Sequence, residues 1–131
     1  MAAVVALKRK VLLIDDSEIS LHFAAAALTR AGYDVRTSTD VHEFGAALGT
    51  WRPDVILTDV SMPGITGVEL CRRLKSSYET AHVPVVLFSA LPNEELETLA
   101  RECEADGFLS KVNGLDRLAD ELALLFDTAL F

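Results

Sequence analysis

Basic residues are scarce in this chain: 12 Lys and Arg stand against 20 Asp and Glu over 131 residues, a formal net charge of −8. A stripe of positive charge for a phosphate backbone is missing, which excludes direct nucleic-acid binding. The same deficit argues against docking on an anionic membrane surface. No apolar run approaches the ~18 residues of a membrane span; the stretch 23–28 is typical. An apolar segment, 1–7, precedes Lys8-Arg9-Lys10, the reverse of the order in a secretory leader, which predicts a cytoplasmic location. Cysteine is limited to Cys71 and Cys103, with neither a CxxC pair nor metal-ligand spacing, so reduced thiols packed in helices are expected. His22, His42 and His82 show no metal spacing either. Repeats, low-complexity tracts and linkers are lacking, which predicts one domain over 1–131 with its core at about 10–126.

What is present is ordinary globular composition, 50% hydrophobic and 24% charged, laid out in alternation. Val11-Leu12-Leu13-Ile14 is a continuous apolar run that ends in Asp15-Asp16. Residues 17–31 read as a helix with Ile19, Phe23, Ala27 and Leu28 on one face and Gly32 as its stop. A short, half-polar segment, 34–38, suits an edge strand. Asp40 with Glu43 has the spacing of a capping box for a second helix ending near Gly49, and Trp51 packs at its end. Residues 54–59 form the next apolar strand, and Gly64 and Gly67 mark a loop before a helix at 68–76. Residues 85–88 form a fourth strand ending in Ser89. Pro92 opens a helix carrying Leu96, Leu99, Ala100 and Cys103, with Gly107 as its stop. Phe108-Leu109-Ser110 is a brief last strand closed by Lys111, and a final helix from Leu115 keeps Leu118, Leu122, Leu125 and Ala129 in register. Nearly all-apolar strands alternating with helices predict an α/β fold, a parallel sheet covered on both faces.

Ligands of open α/β sheets bind beyond the carboxyl ends of the strands. Asp15 and Asp16, Asp59, Ser89 and Lys111 occupy those ends. Taken singly, each has a plain reading: Asp15 or Asp16 as a helix N-cap, Asp59 as a loop residue, Ser89 as a cap, Lys111 as a solvated cation. Together, three carboxylates repel one another unless something cationic neutralises them. Hard oxygen donors in a shallow crevice suit Mg2+, and a lysine ammonium suits a bound anion. This set suggests phosphoryl transfer to Asp59, with Ser89 hydrogen-bonding a phosphoryl oxygen.

The chain resembles the receiver domains of two-component response regulators (the CheY-like superfamily). The resemblance rests on VLLIDDS (11–17), PDVILTDVSMPGITG (53–67), VPVVLFSA (83–90) and ADGFLSK (105–111). It implies a flavodoxin-like (βα)5 doubly wound sheet of strand order 2-1-3-4-5. It implies Asp59 as the phosphoacceptor, Asp15 and Asp16 as the acidic pair that holds Mg2+, and the Ser61 backbone carbonyl as a further metal ligand. Lys111 matches the phosphate-binding lysine, Ser89 the switch hydroxyl and Phe108 the switch aromatic. In the family, Ser89 moves to the phosphoryl group and the aromatic ring turns inward, which changes the face of helix four, strand five and helix five. Here that face carries Glu94, Glu95, Glu97, Glu102, Asp116, Asp120, Glu121 and, off the core stripe, Leu124. Implied partners are a sensor histidine kinase or phosphotransfer protein, an output partner or output domain, and a phosphorylation-dependent second copy. The family commonly has proline after the lysine, joined by a cis peptide; this chain has Val112. A non-proline cis bond costs about 2.5–4 kcal/mol, so a trans bond or a rearranged loop is expected.

Two other readings compete. A haloacid-dehalogenase-like phosphatase also uses a strand-end Asp, but its acid/base position, two residues later, is Ser61 here. A receiver-like module that works without phosphate is the other; Val112 leaves room for it, and the full set of Asp15, Asp16, Asp59, Ser89 and Lys111 argues against it.

Overall fold

The computed structural model describes residues 8–130; the apolar segment 1–7 and the last residue lie outside them. Five strands form one parallel sheet: β1 (Lys10–Ile14), β2 (Asp34–Ser38), β3 (Val55–Thr58), β4 (Val85–Ser89) and β5 (Gly107–Ser110). Their order across the sheet is β2-β1-β3-β4-β5. Five helices alternate with them: α1 (Glu18–Arg30), α2 (Val41–Trp51), α3 (Gly67–Ser76), α4 (Asn93–Cys103) and α5 (Leu118–Thr128).

The nearly continuous apolar strands are explained by two cores. Val11, Leu13, Val55, Leu57, Val86, Phe88 and Leu109 point to a layer formed by α1 and α5. Leu12, Ile14, Ile56, Val85 and Leu87 point to the opposite layer, formed by α2, α3 and α4. Successive strand residues alternate between faces, so a sheet covered on both sides needs an apolar residue at every position. Only β2, at one edge, keeps exposed polar residues, as an unpaired edge requires. Register then aligns the strand ends, with Ile14 opposite Thr58 and Ser89 opposite Ser110.

Several local expectations are corrected. α1 buries Leu21, Ala24 and Leu28, while Ile19 and Phe23 are 73% and 55% exposed. α2 runs past Gly49 to Trp51, and Arg52 is the left-handed residue that ends it. Glu104 takes the same conformation after α4, and Gly107 lies within β5. Both ends hold a non-glycine residue at positive φ, where glycine is the usual residue. Residues Leu115–Arg117 form a 3-10 turn before α5, so the regular helix starts at Leu118. Phe126 is buried by α5, whereas Leu124 is 61% exposed.

The edge of the sheet opposite those strand ends is held by a clasp that no local pattern announces. The Lys75 ammonium at the end of α3 donates to the Asp106 carboxylate at 2.6 Å and to the Val83 carbonyl at 2.9 Å. Asp106 also accepts the Val85 amide at 2.8 Å. One pair therefore ties α3 to the starts of β4 and β5. With the Lys75 side chain only 12% exposed, Asp106→Ala leaves a largely buried ammonium without its counter-ion and a buried amide without its acceptor. It is expected to cost about 2–3 kcal/mol in urea unfolding, with the chemistry at the opposite edge unchanged.

Candidate functional site

The site is set by how each strand stops. β1 delivers Asp15, whose Oδ1 accepts the Ser17 amide at 2.9 Å. Ser17, not either aspartate, is the N-cap of α1, accepting the Ser20 amide at 3.2 Å. Neither carboxylate is spent on the cap. β3 delivers Asp59, whose Oδ1 accepts the Val60 amide at 2.8 Å, so Oδ2 faces the pocket. The loop beyond turns back sharply, and the Gly67 amide donates to the Val60 carbonyl at 2.8 Å. A Cβ on Gly67 would sit 1.9 Å from the Asp59 carbonyl oxygen. Glycine is therefore a steric requirement of the turn that follows Asp59. Thr66 caps α3 by accepting the Glu69 amide.

The three aspartates converge: one carboxylate oxygen from each of Asp15, Asp16 and Asp59 lies within 4.8 Å of the others. Asp15 is buried, Asp59 half-buried and Asp16 exposed, so the cluster opens to solvent at Asp16. The Lys111 ammonium reaches it from the end of β5, 2.5 Å from Asp15 Oδ2 and 3.8 Å from Asp59 Oδ2. It also lies 5.2 Å from the centre of the Phe88 ring, a cation–π distance. Ser61 is exposed on the loop after Asp59. Ser89 is buried at the end of β4, and the Leu91 amide donates to its hydroxyl at 3.5 Å. α4 has Pro92 at its N-cap with no side-chain cap bond, so Ser89 is not a helix cap. Phe108 is half-buried on β5, on the face covered by α2, α3 and α4. The histidines are all exposed and lie away from this cluster.

The two inner carboxylates respond oppositely to this environment. Burial pushes the Asp15 carboxyl up, but the hydrogen bonds from Lys111 and the Ser17 amide, with the Lys111 charge, outweigh it and hold Asp15 below the ordinary value. Burial also pushes Asp59 up, and there it prevails: the more distant Lys111 charge is offset by the repulsion of Asp15. Three carboxylates and one ammonium leave an excess of two negative charges, which matches a divalent cation. The donors are hard oxygens, and Mg2+ accepts few carboxylates and keeps its remaining positions for water. The residues therefore fit that ion.

The loop after Lys111 differs from the family's pattern, as Val112 in place of proline requires. No cis peptide occurs among the described residues. Lys111–Asn113 instead form a 3-10 turn, and the Ser110 hydroxyl accepts the Val112 amide at 3.2 Å while donating to the Leu91 carbonyl at 2.7 Å. Sequence reasoning missed Ser110. The signal that could have found it is a hydroxyl beside the lysine where the next residue has an amide hydrogen to satisfy.

This geometry accords with the comparisons to known proteins. The model for the response regulator receiver domain matches residues 11–123. The chain belongs to that family. It is 38% identical to the response regulator PleD of Caulobacter vibrioides over 102 residues, which is 78% of this chain and 22% of PleD. It is 31% identical to the phosphate regulon transcriptional regulatory protein PhoB of Pseudomonas aeruginosa, over 79% of this chain and 45% of PhoB. The receiver thus spans less than half the length of these relatives. Among solved structures, the chemotaxis response regulator CheY4 of Vibrio cholerae superposes with a TM-score of 0.81 at 28% identity, covering 91% of this chain and 99% of CheY4. None of the helices among the described residues is long and apolar enough to cross a membrane.

Two measurements test the site's construction. Asp59 holds its proton more tightly in the folded chain than in the unfolded one, so its ionisation at neutral pH costs stability, and that cost fades as pH falls through its raised folded value. Without divalent ions, Asp59→Asn is expected to raise the melting temperature at pH 7 by about 3–5 °C, and the difference from wild type to shrink toward pH 4. Gly67→Ala forces the Asp59 carbonyl aside and is expected to cost more than about 3 kcal/mol in denaturant unfolding.

Proposed function

We propose that this receiver accepts a phosphoryl group on Asp59 from a sensor histidine kinase or a phosphotransfer protein. The observation that carries this reading is the convergence of Asp15, Asp16, Asp59 and the Lys111 ammonium at one strand-end edge. Asp59 Oδ2 attacks phosphorus, the bond from phosphorus to the donor's imidazole nitrogen breaks, and the nitrogen leaves with that electron pair, the ring being neutral on departure because its other nitrogen already carries a proton. The product is an acyl phosphate on the chain and a neutral histidine on the donor. Asp15, Asp16, Asp59 and the Ser61 backbone carbonyl are the residues that would hold Mg2+. Bound there, the ion supplies charge neutralisation for the transferring group.

The chain's own residues do the rest. Lys111 pairs with a phosphoryl oxygen as a point charge. Asp15 holds that lysine, through their ion pair, aimed at the acceptor. The Ser89 hydroxyl turns to a second phosphoryl oxygen, and the half-buried Phe108 ring moves into the space it leaves. The surface formed by α4, β5 and α5 then changes. Its exposed Glu94, Glu95, Glu97 and Leu124 give an acidic rim with one apolar contact, suited to a protein partner, an output domain or a second copy of the chain. The receiver is thus a phosphoacceptor that assists its own modification, working in the cytoplasm, and not a turnover enzyme.

Incubation with Mg2+ and a small acyl-phosphate donor, read by intact mass, tests this. One added phosphoryl group is expected on wild type and none on Asp59→Asn. Equal addition to both would place the acceptor elsewhere. Addition to neither would favour a module that works through binding alone.

A further inference from the structure

We infer that Ser110 is a positioning residue for Lys111 and the mechanical link between the lysine loop and the Ser89 loop. The inference rests on the proposed role of Lys111 as the phosphoryl-binding group. Lys111 lies between the two residues of one local hydrogen bond: the Val112 amide donates to the Ser110 hydroxyl at 3.2 Å. That bond requires an amide hydrogen after the lysine, which Val112 has and proline lacks. The turn is therefore fixed by a Ser–Val pair acting together, in a loop where Val112 itself is 71% exposed and has no packing to hold it.

The same hydroxyl spends its proton elsewhere. Ser110 Oγ donates to the Leu91 carbonyl at 2.7 Å, and Ser110 is only 4% exposed. Leu91 in turn donates its amide to Ser89 Oγ at 3.5 Å. A single residue, Leu91, thus bonds one hydroxyl through its amide and the other through its carbonyl. The sequence Ser89 hydroxyl, Leu91, Ser110 hydroxyl, Val112 amide runs continuously from the end of β4 to the turn behind Lys111. The bond to Ser89 is the longest in that sequence. It is the one released when the Ser89 hydroxyl turns toward a phosphoryl oxygen, and Leu91 carries the displacement to Ser110.

The test compares Ser110→Ala with Ser110→Thr, which keeps the hydroxyl. Phosphorylation of wild type and both variants by a small acyl-phosphate donor is measured across donor concentration, and amide hydrogen exchange at Val112 is followed in the same proteins. Ser110→Ala is expected to raise the half-saturating donor concentration about five- to tenfold, the effect of one lost hydrogen bond on the placement of Lys111. It is also expected to speed Val112 exchange by a similar factor, while Ser110→Thr stays within about twofold of wild type in both. Unchanged donor dependence and unchanged Val112 exchange in Ser110→Ala would overturn the inference. So would a loss that Ser110→Thr fails to restore, because packing and not the hydroxyl would then carry the effect. Failure of wild type to accept phosphoryl at all would overturn the proposed function instead, and Val112 exchange would still decide whether Ser110 holds the turn.

Discussion

One ammonium serves two inner carboxylates, and it does not serve them equally. Lys111 lies 2.5 Å from Asp15 and 3.8 Å from Asp59. At the longer distance, its attraction for a unit charge is still roughly 4 kcal/mol at an effective dielectric of 20, yet burial and the Asp15 charge leave Asp59 with a raised pKa. Asp15 is the well-satisfied partner, ionised and hydrogen-bonded on both oxygens. Asp59 is the one whose charge is under-compensated. That inequality makes Asp59 the carboxylate with the most to gain from an added cation, and its Oδ2 lies 3.8 Å from the lysine, beyond hydrogen-bond reach.

The fold exists to hold this arrangement in place. Parallel strands all end at one edge, and their register puts Asp15, Asp59, Ser89 and Lys111 within a few ångströms although they span most of the chain. Ser17 takes over the capping of α1 and so leaves the aspartates free. Gly67 lets the chain fold back over the Asp59 carbonyl. Far from this edge, the Lys75–Asp106 clasp fixes the starts of β4 and β5.

Much of this was legible in the sequence, for a physical reason. A strand that must be apolar on both faces leaves few positions for polar side chains, and those at its carboxyl end stand out. Asp15, Asp59, Ser89 and Lys111 were found that way. The faces of the helices were less legible. Apolar residues surround α1 on most sides, including Ile19, Leu21, Phe23, Leu28 and four alanines, so no single stripe is marked, and Leu21 and Ala24 take the core while Ile19 and Phe23 remain exposed. Helix ends at Arg52 and Glu104 carry no glycine signal, although both residues take the left-handed conformation that glycine usually supplies. The role of Ser110 was hidden because a serine in a short strand looks like any half-exposed position until its two partners, one local and one 19 residues away, are seen together.

The electrostatics also say why a change at Asp59 would be felt at α4. On the proposed reading, replacing a carboxylate by its phosphoryl derivative makes the pocket more negative, since a phosphoryl group carries about −1.5 to −2 charges. Asp15 and Asp16 cannot respond, because they carry the same sign. Beyond the cation those carboxylates would hold, compensation has to come from donors, and the side chains placed for it at that edge are Lys111 at the end of β5 and Ser89 at the end of β4. Each sits on a short loop, and both loops are hydrogen-bonded to Leu91. Leu91 immediately precedes Pro92, the N-cap of α4, which has no side-chain bond of its own to anchor it. On that reading the added charge draws on two loops that meet at the least tethered helix start among α1 to α4.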